Sequence, residues 1–503
     1  MFRQNILVIV LLLLAVLLTG CEGDRIAVEE PESVLDFRAV VDGKEYRPIS
    51  ESETGCIVFV PSGTDLTNIV AKFGGKAISA SVNGVPQESG VTANNFTSYK
   101  KGVTYNIQKD DGEVIDYKVV VLDTRLPVVA VTTDNLEKVR NREDWKAAGI
   151  KIMDADGRIS TWAHTEIRGR GNWTWEKYQK KPYALKLDRP RPILGMPAHR
   201  RWVLLALYRG FIGNALAFEA TRRAPALGWA PRGQFVELVL NGKFQGMYYL
   251  CEHIKIDENR VNIQPMTVKD ATYPAVSGGY LLEYDELYDE KYKFVSSRFS
   301  LPVQIKEPND TLTDAQFNFI KDFINEMEGE IRKIGTGEQS RWTDYMDIDS
   351  FADYWMVLET VNNYEAYKPR SVKMFKGRDG VDSAPGTVCK LKAGPLWDQE
   401  LFLVDHVFNS KNMYYYRYLF KDPQFVETVK RRWPAYRDNI LGVDGGQSYL
   451  EYLDEMVSLI EYSARRDTKL WNNGYFTLDE EVATVREGFV SKINWMDAQI
   501  QAL

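Results

Sequence analysis

The feature that most limits what this chain can become is a change of hydrophobic period near residue 126. Before it, from residue 33 to 123, short strand-like runs follow one another: Leu35-Asp36-Phe37-Arg38-Ala39-Val40, Cys56-Ile57-Val58-Phe59-Val60, Ala77-Ile78-Ser79-Ala80-Ser81-Val82 and Tyr117-Lys118-Val119-Val120-Val121. Asp42-Gly43, Asn83-Gly84 and Asp111-Gly112 punctuate them. Asx-Gly pairs accept the positive φ that tight hairpins demand. The pattern predicts an all-β, immunoglobulin-like sandwich over residues 33–123. After residue 126, strands mix with helical periods at residues 213–223, 314–334, 348–361, 423–440, 447–464 and 478–500. A chain of 503 residues exceeds one ordinary core. We therefore expect a multidomain protein: the sandwich, then an α+β domain over residues 126–503 whose C-terminal part is helical.

The N-terminus reads as a targeting segment. Arg3 precedes an almost purely apolar run at residues 6–18, and Leu18-Thr19-Gly20-Cys21 matches a bacterial lipobox. The run is shorter than the ~20 residues a spanning helix needs, and it ends in small residues as a cleaved signal does. The expectation is a signal peptide at residues 1–20, a lipidated Cys21 and a polar tether at residues 21–32. Acyl chains on Cys21 would hold the chain to a membrane of the cell envelope, the outer membrane on its periplasmic or surface face. Cys56, Cys251 and Cys389 are far apart and form no Cys-x-x-Cys motif, so no zinc site is visible. A formal net charge of −7 argues against nucleic acid as a general partner.

Residues 165–188, TEIRGRGNWTWEKYQKKPYALKLD, combine a glycine-punctuated basic turn with a lysine-rich strand. Glycines allow close approach of the backbone, and clustered guanidinium and ammonium groups suit an anion, phosphate above all. The same letters also occur in turns that bind nothing. Near the other end of the chain, Trp397-Asp398-Gln399-Glu400 places two carboxylates at i and i+2, on one face of an extended segment. Carboxylates so close repel unless a cation lies between them or one is protonated.

Seven segments in order resemble the spore-coat protein H (CotH) kinase family: IRGRGNWTW, KKPYALKLD, WVLLALY with GNALAFEATRR, VELVLNGKFQGMYYLCEHIKIDENRVNI, GGYLLEYDE, YWMVLETVNNYEAYKPRSVKMFK and GPLWDQE. The resemblance covers roughly residue 126 to the C-terminus. It implies an atypical protein-kinase-like fold and phosphorylation of Ser or Thr in a protein acceptor, with ATP and Mg²⁺ or Mn²⁺. The sandwich, through Val91-Thr92-Ala93-Asn94-Asn95-Phe96, Tyr105 and Asp116-Tyr117-Lys118-Val119, is similar to the spacer domains of Bacteroidetes surface lipoproteins.

Carried onto this chain, the resemblance assigns phosphate contacts to Lys186, then Lys181, with Arg168 and Arg170 beside them. Glu252 is the expected ion-pair partner of the phosphate-contacting lysine. Asp398 and Glu400 would hold the metal, with Asp398 also catalytic, and Glu365 aligns with the family's catalytic aspartate. Two family aspartates are thus glutamates here, Glu365 and Glu400, and Ser371 stands where the family often has asparagine. Two functions follow: an envelope-anchored kinase, or a degenerate kinase fold that binds a partner or polysaccharide without phosphotransfer.

Overall fold

The computed structural model describes residues 34–503 apart from residues 310, 444 and 472–474. The signal peptide, Cys21 and the tether lie outside the described residues. Among those described, no helix is long and apolar enough to cross a membrane.

The first region is two β-sheets. Arg38–Val41, Lys44–Tyr46, Ile69–Lys72 and Ala93–Asn94 form one, and six strands from Pro48–Ser52 to Val114–Thr124 form the other. The Asx-Gly signals act as expected. Asp42 and Gly43 have φ of 49° and 76°, and Asn83 and Gly84 have 51° and 79°, the left-handed pair a two-residue hairpin requires. Phe37, Tyr105 and Tyr117 fill the space between the sheets. A second apolar layer, with Ile57, Phe59 and Leu122 against Val128, Ala130 and Val239, joins this region to the next.

That next unit is a closed seven-stranded barrel: Val128–Thr133, Lys146–Met153, Ile159–Gly169, Tyr183–Ile193, Met196–Leu205, Lys243–Glu252 and Gly233–Leu240. Closure comes from parallel pairing of Val128–Val131 with Glu237–Leu240. Pro190 and Pro192, which suggest a connection, instead lie within the strand Tyr183–Ile193. The ladder is irregular between Lys186 and Arg191 and again between Arg191 and Ile193, so neither proline occupies a paired position.

Period two then sorts the side chains of the barrel wall. Leu185, Leu187, Trp202, Leu204, Tyr248 and Leu250 point inward and pack together. Val203, Leu205, Tyr249 and Cys251 point outward and join the large core of the helical region. That core also takes the inner face of a five-stranded sheet, in the order Lys293–Val295, Pro302–Glu307, Tyr280–Tyr284, Val372–Lys376, Leu391–Ala393. The helix Ile348–Val361 is buried along nearly its whole length. The helices Asp314–Thr336 and Leu478–Gln501 begin with capping boxes, Thr313 with Gln316 and Thr477 with Glu480.

The barrel is bolted to the helix Tyr449–Trp471 by a fully buried ion pair. Lys180 Nζ lies 2.8 and 2.9 Å from the Asp467 carboxylate and donates to Met247 O at 2.5 Å. The Met247 N–H donates back to Asp467 at 2.8 Å. Removing one partner of a buried pair strands the other charge, whereas replacing both with apolar residues costs far less. Asp467→Ala should therefore lose about 3–5 kcal/mol in urea unfolding, and Lys180→Met/Asp467→Leu should recover most of it.

Candidate functional site

The basic turn is built by close contacts within the chain. A Cβ on Gly169 would lie 2.6 Å from the Trp175 ring and 2.7 Å from Asn141 O, and Gly171 has φ of 75°. These glycines accommodate the one-turn helix Trp173–Lys177 and its own tryptophan, so what the backbone approaches here is Trp175.

The expected phosphate contacts divide into three places. Arg168 and Lys186 lie over the Trp145 ring at 4.6 and 5.7 Å, joined by Arg201 at 5.0 Å. Lys181 sits over Trp175 and donates to its carbonyl. Arg170 stacks on Trp397 at 5.5 Å. Burial pulls Arg170 down, while Cys251, Asp398, Glu283 and Glu400 favour its charged form. Arg170 is thus the member of the set that reaches the carboxylates.

The expected Glu252–Lys186 pair does not form. Glu252 is opposite Trp202 in the ladder, whereas Lys186 is opposite Arg201. Adjacent residues of a strand face opposite ways, so the two side chains lie on opposite faces of the sheet. Lys186 pairs with Glu166 at 2.5 Å, and Glu252 takes Arg232 at 2.9 Å with Arg260 at 3.8 Å.

The acidic residues, far apart in sequence, do converge. Burial first, then the Glu365 charge, raises Asp398 above the usual aspartate range. Burial and the Asp398 charge push Glu400 up to about 7. The segment carrying them is not a regular strand: Asp398 has φ of 68° and Ser371, whose Oγ is 3.4 Å from Asp398 Oδ2, has 55°. Such backbone in non-glycine residues persists where surroundings over-determine it. Gln399 supplies that constraint. Its side chain donates to Val361 O and Leu401 O and accepts from Asn363 Nδ2 at 2.7 Å. Its N–H donates to Asn214 Oδ1 at 3.1 Å. Asn363 Oδ1 in turn accepts from Ala366 N at 2.7 Å and sets the turn that bears Glu365.

Sequence reasoning missed several neighbours. Tyr178 donates to Glu400 Oε2 at 2.7 Å, and Arg209 lies 3.8 Å from the same oxygen while donating to Tyr364 at 3.1 Å. Glu283 pairs with Lys373 and, at 3.0 Å, with Lys306. Burial opposes its charge, but these lysines hold Glu283 at about 2. Asp285 accepts the Ser371 N–H at 2.9 Å. The signal for these acids was Glu283-Tyr284-Asp285, the same i, i+2 spacing as Asp398 and Glu400.

Among the described residues, no group of three or more His, Cys, Asp or Glu side chains is arranged to hold a metal ion by itself. Mg²⁺ commonly takes one or two carboxylates and completes its shell with water and phosphate oxygens. Asp398 and Glu400 fit that use by donor chemistry, since burial and neighbouring carboxylates disfavour the charge of each and a cation relieves the repulsion.

Residues 167–495 match the family model described as CotH kinase protein. The match spans more than half of the chain, which belongs to the CotH kinase family. It starts inside the strand Ile159–Gly169, so the first two barrel strands precede it. A solved structure, a putative glycoside hydrolase from Bacteroides thetaiotaomicron, aligns at 16% identity over 56% of this chain and 68% of that one, with a TM-score of 0.19. Neither fold nor activity is taken from it. No curated protein matches the chain.

The loop bearing Arg209 is anchored from the last helix. Phe211 N donates to Glu481 Oε2 at 2.6 Å, and burial pushes Glu481 up to about 8. A carboxyl raised in the folded state favours folding fully below its ordinary value, and that contribution is lost as pH rises through about 8. Glu481→Gln keeps an acceptor for Phe211 but cannot titrate. Between pH 5 and 9 the wild-type chain should lose about 4 kcal/mol relative to the variant in paired urea unfolding series.

Proposed function

We propose that this chain is an envelope-anchored phosphotransferase that moves the γ-phosphoryl group of ATP to a Ser or Thr hydroxyl of a protein acceptor. The observation that supports this reading is the convergence of Glu365, Asp398 and Glu400 on one another beside the Arg170 guanidinium. Phosphoryl transfer asks a protein for positioning and charge neutralisation rather than covalent chemistry. An acid cluster with cations at its border is that kind of environment. A protein-kinase-like arrangement of the barrel and helical region belongs to the same proposal.

Asp398 and Glu400 are the residues that would hold Mg²⁺ or Mn²⁺. The ion, when bound, supplies neutralisation of charge on the phosphate oxygens. Arg170 adds a fixed positive charge there. Lys373 and Lys306 are paired with Glu283 on the same five-stranded sheet, and Lys373 favours the charged form of Asp398. Glu365 accepts the proton of the attacking hydroxyl as its oxygen bonds to phosphorus and the bridging bond to ADP breaks. Ser371 and Gln399 hold Asp398 and its segment in place. Cys21 carries the lipid that keeps the chain at a membrane outside the cytoplasm.

The test is transfer of label from γ-³²P-ATP to envelope proteins by the mature chain with Mg²⁺ or Mn²⁺. Asp398→Asn and Glu365→Gln should each cut transfer by about a hundredfold or more, the scale of a misplaced catalytic group. Their unfolding transitions should stay near that of wild type. No incorporation above the Asp398→Asn background, with either metal, would rule the reading out. Cys21→Ser should shift the chain from the membrane fraction to the soluble fraction, and unchanged partitioning would reject the anchor.

A further inference from the structure

A cavity of about 190 Å³, whose lining does not include Glu365, Asp398 or Glu400, lies between residues 227–229, residues 260–263 and the edge strand Leu391–Ala393. Its walls are apolar and aromatic, with Trp229, Ile263 and Phe375 among them, yet its polar lining is unbalanced toward donors. Arg260, 2% exposed, donates from Nη1 to His253 O at 2.5 Å, and its Nε lies 3.8 Å from Glu252. Its Nη2 is buried with no partner, and so is the indole nitrogen of Trp229.

Lys390 and Lys392 also line the cavity, and neither has a carboxylate partner among the described residues. The carboxylate in the lining, Asp382, is already engaged by the N–H groups of Gln264 at 3.0 Å and Arg378 at 2.6 Å. Native structures rarely leave buried donors unsatisfied, and each exception asks for an explanation. Burial pulls Arg260 down to about 10, so it stays a cation at neutral pH. Three cations and one engaged carboxylate beside aromatic walls suit a ligand that brings both negative charge and apolar surface.

We propose that this cavity binds a small organic anion, its phosphate or carboxylate end on Arg260, Lys390 and Lys392 and its apolar body against Trp229 and Phe375. The proposal stands apart from phosphotransfer and needs neither nucleotide nor metal.

Calorimetric titration of the mature chain with phenyl phosphate and with benzoate tests it, with benzyl alcohol as the neutral counterpart. Phenyl phosphate or benzoate should bind at least tenfold more tightly than the alcohol, and the tighter of the two identifies the preferred head group. Lys390→Ala/Lys392→Ala, at positions outside the core, should weaken that anion at least tenfold, and Trp229→Phe, which keeps a ring but removes the N–H, severalfold. Asp398→Asn should bind it as wild type does. Undiminished binding by the double lysine variant, loss of binding in Asp398→Asn, or no binding of either anion to wild type at 10-millimolar order would each overturn the proposal.

Discussion

Two adjacent residues of one helix hold the three parts of this molecule together. Arg466, on the helix Tyr449–Trp471, reaches Asp123 O on the last strand of the first region and Glu237 on the barrel strand Gly233–Leu240. Ser463 and Thr124 donate to the same Glu237 oxygen, Oε1. Asp467, the next residue, turns to Lys180 at the entrance of the strand Tyr183–Ile193. One helical turn thus grips the barrel at two strands and the preceding sheet at the end of one of its inner strands. Buried charges of this kind offset part of their desolvation cost through contact with an opposite charge and further hydrogen bonds. The close fit of Gly246, where a Cβ would lie 2.0 Å from Asp467 Oδ1, shows how little room the arrangement leaves. Because the helix Leu478–Gln501 follows directly and anchors the Arg209 loop through Glu481, the orientation of the acid cluster depends on this grip.

The buried charges fall into two kinds, and the contrast locates the site better than any motif. Lys180 with Asp467, Arg466 with Glu237, and Lys373 and Lys306 with Glu283 are closed sets in which each carboxylate has a cation in contact. Glu365, Asp398 and Glu400 are different. Arg370 at 3.5 Å and Arg209 at 3.8 Å touch two of them at a distance, and their strongest mutual effect is repulsion. Buried carboxyls whose charge is disfavoured, as at Asp398 and Glu400, make a poor structural element and a good receptor for positive charge.

Local structure was largely legible in the sequence because it is set by local physics. The helix at residues 348–361 matches its apolar period to the residue, and the Asn241-Gly242 hairpin lies where its left-handed pair demands. Barrel closure was not legible. It rests on a parallel pairing between Val128–Val131 and Glu237–Leu240, more than a hundred residues apart, which no period records. Asp398 and Glu400 were legible as chemistry from their i, i+2 spacing, whereas Glu365 was reached through the resemblance to the CotH kinase family. The basic side was misread for a geometric reason. Arg168, Arg170 and Lys186 were counted as one group, yet Trp145 takes two of them and Trp397 the third. The error over Glu252 has the same source, because a shift of one residue along a strand reverses a side chain's face.

The glutamates that replace family aspartates gain a physical account from their surroundings. An aspartate at position 400 would be one methylene shorter and would fall short of the Tyr178 hydroxyl, which Glu400 meets at 2.7 Å. That hydroxyl arrives from the end of the one-turn helix after the basic turn, and Tyr178 is itself stacked on Tyr208 at 4.4 Å. Arg209, next to Tyr208, then spans from Glu400 to Tyr364, the neighbour of Glu365. The longer side chain at 400 therefore ties the barrel's basic turn, the Arg209 loop and the Glu365 turn into one connected set. Backbone contact tightens it further, for a Cβ on Gly210 would lie 2.7 Å from Glu400 O and one on Gly213 2.6 Å from the same atom. Length at position 400 is thus matched by partners from two other segments.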